Sequence, residues 1–205
     1  MKNILILGAA GRTGVLLVEQ AQAAGYNVTA FIRSGDAALP ADVKTIVGDA
    51  RSESDLKKAI EGQDAVISTL GSNKPGDRVI ARSLHALIKV ADGAGVKRVI
   101  LMASFLASSN FQPNIILRTG LKVISWIVKD FRSGEDQLKT SDLDYTIVYA
   151  TRLTNDSLSS QYRVVAETEE VGTADSIPRA SVAEFLLTQL KDPTYIRKSV
   201  LITDK

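Results

Sequence analysis

Near its amino end the chain reads Ile4-Leu5-Ile6-Leu7-Gly8-Ala9-Ala10-Gly11-Arg12-Thr13-Gly14, an apolar strand pattern followed by a glycine turn. A helical stretch from Val15 to Ala24 comes next, Gly25 ends it, and Tyr26 to Ile32 supplies a second strand. Glycines at this spacing permit a tight turn, a close approach of a diphosphate to the main chain, and close packing of helix on sheet. The start of a helix adds free N–H groups and the positive end of its dipole. The pattern predicts a dinucleotide-phosphate cradle, with a ligand-free strand-to-helix turn as the alternative.

The composition indicates a single core and excludes several classes of function. The chain has 205 residues, 25 Lys plus Arg, 23 Asp plus Glu and no cysteine. Scattered basic residues disfavour nucleic acid or a membrane surface as partner, and the lack of cysteine excludes disulfides and thiolate catalysis. The apolar stretch Ile115 to Val128 is too short and too polar to span a bilayer. Because no signal-peptide pattern is present, we expect a cytoplasmic protein. We also expect a monomer or a homodimer.

Apolar strands alternate with amphipathic helices along the chain, which predicts a parallel sheet covered on both faces. We therefore expect an α/β fold with a doubly wound, mostly parallel sheet, three layers α/β/α, in a single domain. Further strands are predicted at Val43 to Val47, Asp64 to Leu70, Lys97 to Ala103, Tyr145 to Tyr149 and Ser199 to Thr203. Such a sheet binds its ligand at the carboxyl ends of its strands, where the strand order reverses.

The second half of the chain carries weaker patterns. Apolar residues at helical spacing from Leu117 to Phe131 predict a helix with one buried face, and a further helical turn is expected at Glu135 to Thr140. Ser181 with Glu184 matches a capping box for the last helix. His85 is expected to be structural or solvated, and Trp126 to pack in the core rather than form a stacking platform for a flat substrate.

The residue that follows the second strand distinguishes the two nicotinamide cofactors, since NAD sites place a carboxylate there and NADP sites a cation. Arg33 occupies this position. Arg12 in the glycine turn can reach the same corner, so two guanidiniums could clamp one phosphate. Asp36 could instead neutralise Arg33 or bind a ribose. Asp49 is placed to meet the adenine edge, or else to cap a turn.

The glycine turn, Arg33, Gly48-Asp49, Thr69-Leu70-Gly71, Ser104 and the run Ser141 to Val148 together resemble atypical short-chain dehydrogenase/reductase proteins, which are NAD(P)-binding Rossmann proteins. The chain looks most like the biliverdin-IXβ reductase/flavin reductase branch, with NmrA-like regulators as neighbours. The resemblance implies one NAD(P)-binding domain over residues 1–205, with a small substrate-facing portion near its carboxyl end. It also implies NADP(H) as preferred cofactor, with NAD(H) possible. The expected cofactor-binding residues are Gly8, Ala10, Gly11, Arg12, Thr13, Gly14, Arg33, Asp49, Ala50, Thr69, Leu70, Gly71 and Ser104.

The chain departs from the chemistry of simple alcohol dehydrogenases. Those enzymes use a Tyr with a Lys four residues later, and none of the five tyrosines here has one. A flavin, quinone or tetrapyrrole spreads the charge left by hydride transfer, so positioning can carry much of the rate. We expect Ser104 to orient the nicotinamide or the acceptor, and Arg152 to offer a cation to a flavin phosphate or an acceptor oxygen. A strand-end turn and a surface charge are the respective alternatives.

Two functions fit these observations. The first is an NADPH-dependent reductase of a small planar conjugated substrate. The second is an NADP(H)-binding redox sensor or scaffold without turnover, as the NmrA-like relatives suggest. The acidic residues show no metal-ligand spacing and no nucleophile-elbow pattern appears, so metalloenzymes and hydrolases have little support. In the family landmark Arg-Pro-Gly-Arg-Leu-Thr-Asp, this chain has Tyr149-Ala150-Thr151 in place of Arg-Pro-Gly.

Overall fold

The computed structural model describes residues 2–35, 38–72, 74–112, 125–159, 161–166 and 168–204. The main strands in these ranges are β1 (Asn3–Leu7), β2 (Asn27–Ile32), β3 (Lys44–Val47), β4 (Ala65–Ser68), β5 (Arg98–Ser104) and β6 (Asp144–Ala150). Three short strands follow, β7 (Arg152–Thr154), β8 (Arg163–Val164) and β9 (Ser176–Pro178), and then β10 (Lys198–Thr203). Eight strands form one sheet in the order β3-β2-β1-β4-β5-β6-β10-β8, and β7 pairs with β9 in a small parallel sheet.

Helices cover both faces of the large sheet. They are α1 (Arg12–Ala23), α2 (Glu53–Ile60), α3 (Val79–Ala91), α4 (Ser125–Thr140) and α5 (Arg179–Thr188). The core has two parts because side chains alternate across a strand. Ile4 and Ile6 of β1 pack with α1 and α5, whereas Leu5 and Leu7 pack with α2, α3 and α4. All four are buried, as expected for a strand covered on both faces. The predicted α/β/α fold is confirmed.

The order and direction of the strands determine which edge of the sheet can bind a ligand, called the ligand edge below. β1 pairs in parallel with β2 on one side and β4 on the other, so the chain order reverses at β1. Parallel pairing continues through β5, β6 and β10, and β8 is antiparallel to β10. The carboxyl ends of β1 to β6 therefore meet at one edge of the sheet, where doubly wound proteins bind their ligands.

The predicted ends of two helices need correction. α1 begins at Arg12 rather than Val15, so Arg12 and Thr13 belong to its first turn. The capping box at Ser181 is wrong because α5 begins earlier, at Arg179, with Pro178 as its N-cap. The Ser181 hydroxyl lies inside the helix and bonds Ser159, accepting from its N–H at 2.9 Å. The sequence did not indicate β7, β8 or β9, whose two or three residues are too short for a periodic signal.

α4 runs without a break through the segment predicted as a separate turn, Glu135 to Thr140. Gly134 allows α4 to lie close to α3, since a Cβ there would approach Leu84 Cδ1 at 2.8 Å and Ile80 Cγ2 at 3.1 Å. Close packing of this kind explains a glycine within a helix. The part of the predicted helix from Leu117 to Ile124 lies outside the described residues, while Phe131 is buried as predicted.

Candidate active site

The glycine turn forms the floor of the site. Gly8 follows β1 with φ of 80°, and the N–H of Gly11 donates to the Gly8 carbonyl at 2.9 Å. A Cβ on Gly14 would lie 2.1 Å from that same carbonyl oxygen, so α1 packs here with no room for a side chain. Gly11 is the N-cap of α1 and supplies no side-chain cap. The first N–H groups of α1 therefore remain available to an anion.

A cleft of about 630 Å³ opens beside this turn. The ends of β1, β2, β3 and β4 form its walls. The predicted cofactor residues that line it are Gly8, Ala10, Gly11, Arg33, Asp49, Ala50, Thr69, Leu70 and Gly71. Arg12, Thr13, Gly14, Ser104 and Arg152 are not among its lining residues. The structure thus brings nine of the thirteen predicted cofactor-binding residues together around one cavity and leaves the predicted catalytic residues, Ser104 and Arg152, outside its lining.

Thr69 fixes the far wall of the turn. Its hydroxyl lies 3.2 Å from the carbonyl oxygens of both Leu7 and Gly8, and its N–H donates to Leu7 at 2.9 Å. A Cβ on Gly8 would approach the Thr69 hydroxyl at 3.0 Å. The end of β4 therefore holds the glycine turn through the main chain, and Thr69 is itself a part of the cleft wall.

Asp49 is held by a residue that sequence reasoning missed, Arg51. The Arg51 side chain donates to both carboxylate oxygens, at 2.9 Å from Nε to Oδ1 and at 2.7 Å from Nη2 to Oδ2. The hydrogen bonds from Arg51 lower the pKa of Asp49 below its ordinary value, and the charge of Arg33 adds to the effect. Asp49 is thus a carboxylate with a fixed orientation. Its predicted contact with adenine stays a prediction.

The two arginines expected to share a phosphate occupy different surroundings. Arg33 is exposed at the end of β2 and lines the cleft. Arg12 is the first residue of α1, and its charge acts on Arg179 at the start of α5. Joint binding of one phosphate by both guanidiniums stays a prediction. Asp36, the alternative partner of Arg33, lies outside the described residues.

The loop after β4 is anchored from α4. Asp130, 3% exposed, accepts hydrogen bonds from the N–H groups of Ile80 at 3.1 Å and Ala81 at 3.0 Å, and from the Ser72 hydroxyl. The Ser72 oxygen also accepts from the Val79 N–H at 3.3 Å. A carboxylate at the start of α3 satisfies its free N–H groups and complements its dipole. Asp130 therefore fixes the loop that continues from Thr69 along the cleft.

Ser104 ends β5 directly opposite Ala150, the last residue of β6. Its hydroxyl accepts a long hydrogen bond, 3.4 Å, from the N–H of Leu106 and caps the short 3₁₀ helix Phe105–Ala107. The turn-forming role considered for Ser104 is thus present. The hydroxyl hydrogen can still be donated, since a serine oxygen both donates and accepts.

Hydroxyl groups hold the chain where the family's proline and glycine are missing. Thr151 and Thr203 share a hydrogen bond of 3.0 Å between their hydroxyls, and the N–H of Thr151 bonds Ile202. The next residue, Arg152, is exposed and donates its N–H to the carbonyl of Asp175 at 3.1 Å. None of the ion pairs found among the described residues includes Arg152. Its guanidinium is available at the surface.

Arg179 is a second residue that the sequence did not reveal. It is 7% exposed, and its Nη1 donates to the carbonyls of Leu153 at 3.3 Å and Thr154 at 2.9 Å and to Asn155 Oδ1 at 2.7 Å. Burial and the nearby charge of Arg12 lower the pKa of Arg179 below its ordinary value. Arg179 therefore joins the start of α5 to the end of β7.

The part of the chain that the structure describes also bears on the expectations for metal ligands, membrane-spanning helices and His85. Within it, no cluster of three or more His, Asp and Glu could hold a metal ion. Its helices include none that is long and apolar enough to cross a membrane. His85 is exposed on α3, and its Nδ1 lies 3.2 Å from Gln137 Oε1, in agreement with a solvated role.

The profile of the NAD(P)H-binding family matches residues 8–193, which include the glycine turn and the whole cleft. The chain belongs to the NAD(P)H-binding family. The match confirms the prediction of an NAD(P)-binding protein. The family thus accounts for a dinucleotide cradle at the edge where the strand order reverses.

Three similar proteins extend this result. An uncharacterised chloroplastic protein of Arabidopsis thaliana is 27% identical over 92% of this chain and 72% of its own length. ChuY, an anaerobilin reductase from Escherichia coli O157:H7, shares the fold with a TM-score of 0.82 and 23% identity, over 99% of this chain and 97% of its own. A short-chain dehydrogenase/reductase from Veillonella parvula, solved in complex with NADP, has a TM-score of 0.80 and 22% identity, over 98% and 94% of the two chains.

Proposed function

We propose that this protein is an NADPH-dependent reductase that transfers hydride to a flavin, quinone or similar conjugated acceptor. The observation that carries the proposal is the glycine cradle beside a cleft of about 630 Å³ that Arg33 also lines. The cradle provides free main-chain N–H groups for a diphosphate, and Arg33 provides a cation at the position where NADP enzymes bind the ribose phosphate.

The described residues fit a dinucleotide. Gly11 and Gly71 leave the cleft open, since a Cβ on Gly11 would meet just one atom within 4 Å, the Gly8 oxygen at 3.1 Å, and a Cβ on Gly71 would meet none. The first N–H groups of α1, at Arg12, Thr13 and Gly14, would hold the diphosphate. The adenosine half would lie against Arg33, Asp49, Ala50, Thr69, Leu70 and Gly71, and the nicotinamide near Ser104.

The missing Tyr-Lys pair supports a conjugated acceptor. Bound NADPH would supply a hydride, and one proton from water completes the two-electron reduction, so that NADPH, acceptor and proton yield NADP⁺ and the dihydro acceptor. The protein need not provide a strong acid, because the acceptor delocalises the charge it receives. Ser104 would donate a hydrogen bond to the nicotinamide or acceptor, and Arg152 would attract an acceptor oxygen or phosphate.

Two of the similar proteins support the proposed reductase function. The Veillonella parvula protein binds NADP, and ChuY is a reductase. The alternative is an NADP(H)-binding regulator without turnover, which the missing Tyr-Lys pair fits equally well.

An NADPH oxidation assay separates the two functions. Purified protein is mixed with NADPH and with FMN, riboflavin or a benzoquinone, and the loss of NADPH absorbance is followed against a protein-free blank. A reductase shows oxidation that depends on both acceptor and protein and is faster with NADPH than with NADH. Tight NADP⁺ binding by calorimetry without any acceptor-dependent oxidation would reject the reductase and favour the regulator.

A further inference from the structure

Two arginines line the cofactor cleft, and they differ in whether a carboxylate of the described residues compensates their charge. Arg33 and Arg51 both contribute to the wall of this cleft of about 630 Å³. The ion pairs found among the described residues include Arg51 with Asp49 and do not include Arg33. An unpaired guanidinium suits a phosphate, whereas a paired one has little net charge to offer. The two arginines are therefore suited to different parts of a dinucleotide.

The contacts between Arg51 and Asp49 use the acceptor capacity of the carboxylate. Arg51 Nε lies 2.9 Å from Oδ1 and 3.1 Å from Oδ2, and Nη2 lies 2.7 Å from Oδ2. The Arg51 N–H donates to Oδ1 at 2.9 Å. A carboxylate offers about four acceptor positions, two at each oxygen. An adenine amino group could therefore bond Asp49 only by displacing a donor of Arg51.

The same contacts leave the flat faces of the Arg51 guanidinium uncommitted, since hydrogen bonds from Nε and Nη2 lie in its plane. The turn that carries this plane is fixed to α2. The Asp49 N–H donates to Asp55 Oδ2 at 3.0 Å, and the Ser52 N–H donates to the Asp49 carbonyl at 2.9 Å. Ser52 is the N-cap of α2. Arg51 is thus held beside Ala50, which lines the cleft where the adenosine half is proposed to lie.

We propose that the Arg51 guanidinium stacks on the adenine ring of the bound dinucleotide, and that Asp49 positions Arg51 for this contact instead of bonding the base itself. The inference rests on the proposed cofactor site but not on turnover, so it applies to a reductase and to a regulator alike. Guanidinium planes stack on flat rings, with an added cation–π attraction. Because adenine is common to NADP(H) and NAD(H), Arg51 would add affinity for both, while Arg33 distinguishes them.

Calorimetric titration with NADP⁺ and NAD⁺ tests the stacking role through binding alone. We expect Arg51→Ala and Arg51→Lys each to raise both Kd values by the same factor, about two- to fivefold, the effect of an exposed stacked cation. Lysine keeps the charge without the plane, so it should not restore the affinity. The matched control is Arg82→Ala, at an exposed arginine that lines a neighbouring cleft and not the cofactor cleft. It should leave both Kd values unchanged.

Two results of these titrations would overturn the proposal. A higher Kd for NADP⁺ alone, restored by Arg51→Lys, would assign Arg51 to the ribose phosphate. Unchanged Kd values for both nucleotides in Arg51→Ala would show that Arg51 does not touch the cofactor. The Arg51 and Asp49 side chains are 34% and 43% exposed, so their variants are expected to fold.

A nucleotide with an altered base tests the positioning role of Asp49. Nicotinamide hypoxanthine dinucleotide has an oxygen in place of the adenine amino group. If Asp49 acts through Arg51, the ratio of its Kd to that of NAD⁺ should be the same in the wild type and in Asp49→Ala. Adding Asp49→Ala to Arg51→Ala should raise the Kd for NAD⁺ no further. A wild-type preference for NAD⁺ that Asp49→Ala abolishes would show that Asp49 bonds the amino group itself and would overturn the proposal.

Failure of the proposed function is read from the wild type. If the wild type binds neither NADP⁺ nor NAD⁺, the cofactor site is rejected, and the inference is rejected with it. If it binds NADP⁺ but oxidises NADPH with no acceptor, the reductase is rejected and the effects of the Arg51 variants on Kd still decide the inference. If the wild type is an active reductase and the Arg51 variants bind as it does, the stacking role alone is overturned.

Discussion

The two sides of the ligand edge are built from different interactions. Around Gly8, Gly11 and Thr69, the shape of the site is defined by main-chain groups and by glycines, which have no side chain. An example is the 2.9 Å hydrogen bond from the Gly11 N–H to the Gly8 carbonyl. Around Ser104 and Arg152, side chains from distant parts of the sequence define it, as in the bonds from Arg179 to Thr154 and from Thr151 to Thr203. The first side is suited to the diphosphate, which is common to all dinucleotides. On the second side, a change of one residue can alter which acceptor is bound.

The largest effect is expected at Gly14, where the main chain leaves no room for a side chain. Gly14→Ala would place a Cβ 2.1 Å from the Gly8 oxygen and 2.9 Å from Ala9, so the helix must move away from the turn. We expect the free energy of unfolding to fall by about 3 kcal/mol, as is typical of severe overpacking. The Tm should therefore fall by roughly 6–12 °C. Calorimetric NADPH binding should disappear with it. Gly93→Ala is the control, since its Cβ would meet just the Val90 oxygen at 3.9 Å. Equal behaviour of the two variants would contradict the close-packed turn.

A smaller effect is expected at the connection between α4 and the cleft. Asp130→Ala would leave the N–H groups of Ile80 and Ala81 and the Ser72 hydroxyl without their acceptor. We expect the free energy of unfolding to fall by about 2 kcal/mol, because buried donors would be left unsatisfied. The KM for NADPH should also rise. Asp136→Ala, exposed on the same helix, should change neither quantity. A Tm loss with an unchanged KM would limit Asp130 to a structural role and separate α4 from the cofactor cleft.

Arg33→Ala tests the charge on the first side. The residue is exposed, so we expect the NADPH Kd to rise about tenfold, while the NADH Kd changes little. Paired titrations of both nucleotides measure the effect, with Lys198→Ala as control. Unchanged NADPH affinity would show that another group reads the ribose phosphate.

The smallest effect concerns a buried acid on the second side. Glu135 is 2% exposed, accepts a hydrogen bond of 2.6 Å from the Tyr149 hydroxyl, and keeps its Oε1 without a partner among the described residues. Burial, as the largest cause, raises the pKa of Glu135 above its ordinary value and also raises the pKa of Tyr149. A carboxyl with a raised folded-state pKa stabilises the fold while protonated and loses that contribution as pH rises through the folded value.

Glu135→Gln imitates the protonated form at every pH. Its stability relative to wild type should therefore grow as pH rises above the ordinary carboxyl range, by about 1 kcal/mol. Denaturant unfolding of both proteins from about pH 5 to about pH 8 measures the difference. Parallel stability curves would indicate that the ionised Glu135 is tolerated, with Lys139 Nζ 3.8 Å from its Oε2 as the compensating charge.

The first side could be predicted because its determinants are local. The apolar run at Ile4, the glycine spacing and Arg33 at the end of β2 are each visible within a few residues, and strand ends in a parallel sheet meet at one edge. The second side could not be predicted in the same way. Arg179 on that side, like Asp130 and Arg51 beside the cofactor cleft, acts through several hydrogen bonds whose partners no periodic pattern identifies. Ser181 matched a capping box, but α5 begins earlier, directly after Pro178.

By itself, the sequence determined the α/β fold, the place of the ligand edge and the dinucleotide cradle, because strand burial, helix periodicity and glycine spacing are properties of short segments. The tertiary structure decided which charges meet. It placed Arg51 on Asp49, and Asp130 against the start of α3 and the loop after β4. It also left Arg12 out of the lining of the cleft that Arg33 lines. Side-chain direction and helix packing set these encounters, and both depend on residues far apart along the chain.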